Sequence, residues 1–117
     1  MGNDFTNLLV WKKAKKLAID VCSAFSRCDD FGFRNQITRS AVSVPSNIAE
    51  GSERNGKKEF IHFLGIAKGS LAELRTQIMI GMELGYVERD KGTSWDEATV
   101  EISKMLYGLI ESLRNKD

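Results

Sequence analysis

Apolar residues recur along this chain at three- and four-residue steps, the period of a helix that buries one face. Val10, Ala14, Leu17, Val21, Ala24 and Cys28 form the first stripe and predict a helix over about residues 8–27. Asp29, Asp30 and Gly32 then punctuate, and either aspartate can cap the next helix by accepting a free backbone N–H. Phe33, Ile37, Ala41, Val44 and Ile48 make the second stripe, predicting a helix over about 31–51 that contains the only proline, Pro45. A break at Val44 into two short helices would leave no reason for Ile48 to fall in phase with Val44. The pattern therefore predicts one kinked helix, even though proline removes an N–H and crowds the carbonyl of Ala41. Phe60, Leu64, Ala67, Leu71, Leu74, Ile78 and Met82 predict the third helix, about 57–85. Gly56 is its expected N-cap, Glu59 completes a weakened capping box, and Gly85 ends it. After the linker "YVERDKGTSWDEA", Ser94 is the expected N-cap of a last helix, with Asp96 and Glu97 in its first turn. That helix, about 95–114, carries Ile102, Met105, Leu106, Leu109 and Leu113 on one face.

Four amphipathic segments with short connections predict an all-α fold: an up-down-up-down antiparallel four-helix bundle, with residues 1–117 as a single domain. No strand-like alternation competes, and there is no internal repeat. Composition agrees, since 42% hydrophobic and 28% charged residues suit a soluble globular chain rather than a disordered one. No apolar run reaches the roughly 18 residues of a membrane span. The N-terminus lacks the order of a secretory signal, so a cytoplasmic location is expected, without a membrane partner. Gly2 and Thr6 fit the short myristoylation pattern, which is common by chance. Cys22 and Cys28 would stand roughly 9 Å apart along one helix, too far for a disulfide, and match no metal spacing. They read as reduced packing residues.

Candidate chemistry is sparse. Glu59-x-x-His62 resembles half of a di-iron motif, but the second half needs another histidine and His62 is the only one. No metal, cofactor or catalytic constellation is expected, and therefore no enzyme. Two other features stand out. Gln36, Arg39, Ser43, Asn47, Glu50 and Arg54 line a second, polar stripe on helix two, readable as a solvated face or as a seam against another helix or subunit. On helix three, Gly65, Ile66, Gly69, Thr76, Ile80, Leu84 and His62 lie opposite the core stripe. Interior glycines cost helix stability, and small residues admit a close neighbour, so this face predicts self-association.

Net charge is +1, which argues against a strong global field. Residues 1–58 hold ten Lys/Arg against six Asp/Glu, a net of +4, and residues 59–117 hold seven against ten, a net of −3. The basic share is thus expected on the first two helices. Lys12, Lys13, Lys15 and Lys16, with Arg34, Arg39, Arg54, Lys57 and Lys58, are the candidate phosphate contacts, able to neutralise a backbone without reading sequence.

The stretches "LLVWKKAKKLA", "AVSVPSNIAEG" and "KKEFIHFLGIAKGSLAEL" resemble the four-helix-bundle family encoded within intervening sequences of bacterial 23S rRNA genes, over about Leu8 to Leu113. The resemblance implies a bundle whose second helix carries the proline, assembly into a homopentameric ring, and no enzymatic activity. It also implies kinship with the accessory proteins of diversity-generating retroelements, basic pentamers that engage nucleic acid and a reverse transcriptase. Two positions depart from the family: Thr38 precedes Arg39 where two arginines are common, and Gly56 replaces the usual Ser or Thr cap. The expectation is a non-enzymatic oligomer that contacts RNA or DNA through basic faces, with a nucleic-acid enzyme as a further partner. The alternative is a protein-interaction scaffold with no nucleic-acid role. In either case Pro45, Asn47, Glu50 and Gly51 are expected to aim the end of helix two at a neighbour and let the chain turn.

Overall fold

The computed structural model describes residues 4–116, which form four helices after a short 3-10 turn at Phe5–Asn7: α1 (Leu9–Ala24), α2 (Phe31–Glu53), α3 (Lys57–Glu83) and α4 (Arg89–Arg114). They pack up-down-up-down into a rod of 48 × 20 × 20 Å. No described residue lies in a strand. The predicted stripes meet in one core, where Val21, Ile37, Ala41, Val44, Ile48, Leu64, Ala67, Leu74, Ile78, Ile102 and Leu106 are all at most 1% exposed.

α2 runs unbroken for 23 residues through Pro45, itself buried. The phase shared by Val44 and Ile48 is therefore the phase of one helix. Asp30 caps that helix, accepting the N–H of Phe33 at 3.0 Å. α3 ends in a Schellman turn: Gly85, at φ 77°, donates to Met82 O at 3.1 Å, and Tyr86 N donates to Gly81 O at 2.8 Å. Gly56, at φ 91°, is the N-cap of α3, but no side chain caps it and the Glu59 capping box is not formed.

Three expectations are corrected. α4 starts at Arg89, not after Ser94, and its N-cap is Glu88, which makes no side-chain capping bond. Ser94 and Asp96 stand inside the helix. The early start follows from packing: Val87 is buried, and Gly92 is pressed so close to α3 that a Cβ there would lie 2.5 Å from Cγ and Sδ of Met82. α1 stops at Ala24, so Cys28 lies in the turn and Phe25, 1% exposed, closes the stripe instead. Gly51 does not turn the chain. It lies within α2 at the contact with α3, where a Cβ would sit 2.7 Å from Phe63 Cβ and 3.2 Å from the Phe60 carbonyl oxygen.

The core also takes residues the stripes left out. Trp95, Thr99 and Ile110 line the buried face of α4, and Met105, Leu109 and Leu113 are only partly buried beside it. Cys22 and Cys28 are free thiols, each partly buried, and burial raises the pKa of Cys22. Gly2, of the acylation pattern, lies outside the described residues.

Candidate nucleic-acid interface and assembly face

The polar stripe of α2 and the outer face of α3 form one continuous surface. Ser43 Oγ meets Ser70 Oγ at 2.8 Å across the two helices. The Asn47 amide turns back onto Ser43, donating to its carbonyl at 2.9 Å and to its hydroxyl at 3.0 Å. Asn47 thus reaches α3 only through Ser43. Glu50 reaches no other helix among the described residues and pairs with Arg54 at 3.1 Å, one turn on. The Arg54 guanidinium lies 5.0 Å from the ring centroid of Phe63 on α3. Half of the stripe therefore works as a seam, while Gln36 and Arg39 stay exposed.

Beside that seam runs a groove of ≈ 420 Å³ lined by Gln36, Gly69, Glu73, Thr76, Gln77 and Ile80. The Gln77 side-chain oxygen is buried there, with no hydrogen-bond partner among the described residues. Gly65 and Gly69 face open space, with no atom within 4 Å of a would-be Cβ. Ile66, Ile80 and Leu84 are exposed around them.

The nine basic candidates separate into two kinds. Lys13 pairs with Glu101 of α4 at 3.4 Å, Lys16 with Asp20 at 2.9 Å, and Arg54 with Glu50. Arg34 turns inward, donating to Ser26 O at 3.2 Å and covering the Phe31 ring. Lys12, Lys15, Arg39, Lys57 and Lys58 are exposed and have no carboxylate partner among the described residues. Lys15 lies 5.0 Å from the Trp11 ring centroid, and Lys57 Nζ donates to the carbonyl of Lys116. That last bond ties the α2–α3 turn to the end of α4, so lysines far apart in sequence share one end of the rod. Lys68, Lys104 and Lys116, which the sequence does not single out, also lack an acidic partner among the described residues. Nothing in their sequence context marks them, because only the fold places Lys116 against Lys57 and Lys68 and Lys104 in the same half of the rod.

At the other end, the Tyr86 hydroxyl donates to Asp30 Oδ2 at 2.8 Å, joining the α3–α4 turn to the α1–α2 turn. Asp30 is held below the usual carboxylate range by the Phe33 N–H and then by this hydroxyl. Arg75 pairs with Asp96 at 2.7 Å and links α3 to α4. No cluster of His, Cys, Asp and Glu among the described residues is spaced to hold a metal ion, and no helix among them is long and apolar enough to cross a membrane.

Comparison with curated proteins found no match. Among solved structures, the chain is similar to a protein of unknown function from the S23 ribosomal protein family of Bacteroides thetaiotaomicron, 24% identical, with a TM-score of 0.81 over 87% of this chain and 98% of that one. At that identity the likeness supports the fold, an all-helical bundle. The family model described as 23S rRNA-intervening sequence protein matches residues 6–108, almost the full length and every stretch that carries the resemblance. The chain belongs to the 23S rRNA-intervening sequence protein family.

Proposed function

We propose that this protein is a non-enzymatic, cytoplasmic oligomer that contacts RNA or DNA through repeated basic surfaces. The observation that carries the reading is the set of exposed lysines (Lys12, Lys15, Lys57 and Lys58) with no acidic partner among the described residues. Lysines spent on intramolecular pairs cannot neutralise phosphates; these can. The oligomer reading is supported by the outer face of α3, where two interior glycines have no neighbour and exposed isoleucines have no cover. A homopentameric ring fits the family. In a ring, modest affinity per subunit multiplies into avidity. A nucleic-acid-processing enzyme is the further partner such a ring would serve.

Size exclusion with light scattering, with and without a structured RNA at low and moderate salt, tests the reading. The expected result is a pentamer-sized peak that shifts with RNA at low salt only. A pentamer that ignores RNA would favour a protein-interaction scaffold, and a monomer would remove the avidity argument.

A further inference from the structure

Charge is sorted along the long axis of the rod. The Ser43–Ser70 contact and the Lys13–Glu101 pair mark its middle. On one side lie described residues 4–13, 43–70 and 102–116, with nine Lys/Arg against five Asp/Glu, a net of +4. On the other lie 14–42 and 71–101, with eight against ten, a net of −2. The near-neutral total thus hides a basic end, which holds the α2–α3 turn, and an acidic end, which holds the α1–α2 and α3–α4 turns. The rod is 48 Å long, while salt at physiological strength screens charges over about 8 Å. The ends therefore act as separate surfaces, and the total of +1 does not cancel the local field.

We infer that the basic half of the bundle, with Lys57, Lys58 and Lys116 at its end and Lys12 and Lys104 toward its middle, docks on the phosphate backbone of a double-stranded nucleic acid, while the acidic end turns such a polymer away. This rests on the nucleic-acid reading above and assigns it a surface. Three further observations carry it. Lys57 and Lys58 occupy the first turn of α3, where the helix dipole disfavours cations, so local helix stability does not explain them. The rings of Trp11, Phe63 and Tyr107 in this half each already carry a cation, Lys15, Arg54 and Lys68 respectively, which suits phosphate contact better than base stacking. At the far end Asp29, Glu88, Asp90 and Glu97 have no basic partner among the described residues. Arg34 and Arg39, read from sequence as phosphate contacts, belong to that acidic half and fall outside the surface. Cyclic symmetry places every copy of an end at the same height and radius, so a ring would present its basic ends together.

The test measures binding of an RNA duplex, a DNA duplex of the same sequence and one of its single strands across a salt series. Parent protein is compared with Lys57→Ala/Lys58→Ala, with Lys57→Glu/Lys58→Glu and with Arg39→Glu. The expected result is binding of duplexes over single strand, with a salt slope lowered by about 2 in the double alanine variant. The double glutamate variant should lose at least about tenfold in affinity, and Arg39→Glu should stay within about twofold. Thermal melts confirm folding, and glutamates in that first turn suit the dipole. Equal duplex affinity in parent and Lys57/Lys58 variants would overturn the assigned surface while leaving the function intact, as would a large loss in Arg39→Glu. Preference for the single strand would overturn the backbone assignment. No binding of any probe at low salt would sink the nucleic-acid reading itself. RNA against DNA duplex separates the two sources of the same phosphate chemistry.

Discussion

At the seam between α2 and α3, Gly51 sits where a Cβ would stand 2.7 Å from Phe63 Cβ, and Gly81 where a Cβ would touch the Phe33 ring at 3.5 Å. On the outer face of α3, Gly65 and Gly69 have nothing within 4 Å. Gly51 is explained inside the protomer, because two helices approach too closely there for a larger residue, whereas a Cβ at Gly81 would make only ordinary contact. Gly65 and Gly69 have no such explanation. A glycine in a helix interior costs up to about 1 kcal/mol relative to alanine. Retaining two of them beside exposed Ile66 and Ile80 makes sense when a second backbone lies over the face. One face of α3 is thus complete in the single chain, and the other is the face that the proposed assembly would complete.

The largest effect should come from closing the inner approach. Gly51→Ala places a methyl against Phe63 Cβ and the Phe60 backbone, neither of which can swing aside, so stability should fall by about 1–3 kcal/mol in a urea titration. Gly92→Ala makes an equally short contact, but with Met82, whose side chain can rotate away, so its loss should be clearly smaller. Equal losses at both sites would mean that the backbone around Met82 is as rigid as the α2–α3 seam.

Gly65→Ala with Gly69→Ala sharpens the comparison from the other side. On an isolated protomer the pair should stabilise by roughly 1 kcal/mol per site, from helix propensity alone. Under a covering helix, the same methyls should lower the assembled mass in light scattering while the dissociated chain melts higher. A variant that gains stability and keeps its mass would show that no copy packs on that face.

A smaller effect is expected in the middle of the seam. Ser43→Ala leaves Ser70 and Asn47 without their shared hydroxyl and should cost about 1 kcal/mol. Adding Ser70→Ala should cost less than the two singles summed, with the coupling read from a double-mutant cycle.

Much of this contrast is legible in the order of residues alone. The step from Val44 to Ile48 carries the helix through Pro45, and the phase of α3 places Gly65, Ile66, Gly69 and Ile80 outside the core. Where the two part, packing overrules local chemistry. "ERDKGTS" reads as a polar linker with a cap at Ser94, yet the buried Gly92 against Met82 keeps it helical. The candidate interface is legible only by composition. Counting charge by sequence halves assigns the basic share to the first two helices. The antiparallel path instead folds Lys12, Lys57, Lys104 and Lys116 into one half of the rod and leaves Arg34 and Arg39 in the other. Pairing is equally invisible, since Lys13 finds Glu101 on a helix at the far end of the sequence.

The finest test lies where the α2–α3 seam ends, at the Tyr86–Asp30 bond beside Phe33. Asp30 has a folded pKa below its unfolded value, so its contribution is fully present above the ordinary carboxylate range and is lost as pH falls through the folded pKa. Tyr86 has a folded pKa raised, first by donating to Asp30, so its contribution is present below about pH 10 and is lost as pH rises through the folded value. Tyr86→Phe keeps the ring against Phe33 and removes only the hydroxyl. The stability difference between parent and variant should therefore be flat through neutral pH and shrink toward both extremes. Acid sensitivity should weaken without vanishing, because the Phe33 N–H still caps Asp30. A difference independent of pH would mean that the hydroxyl contributes packing rather than this bond.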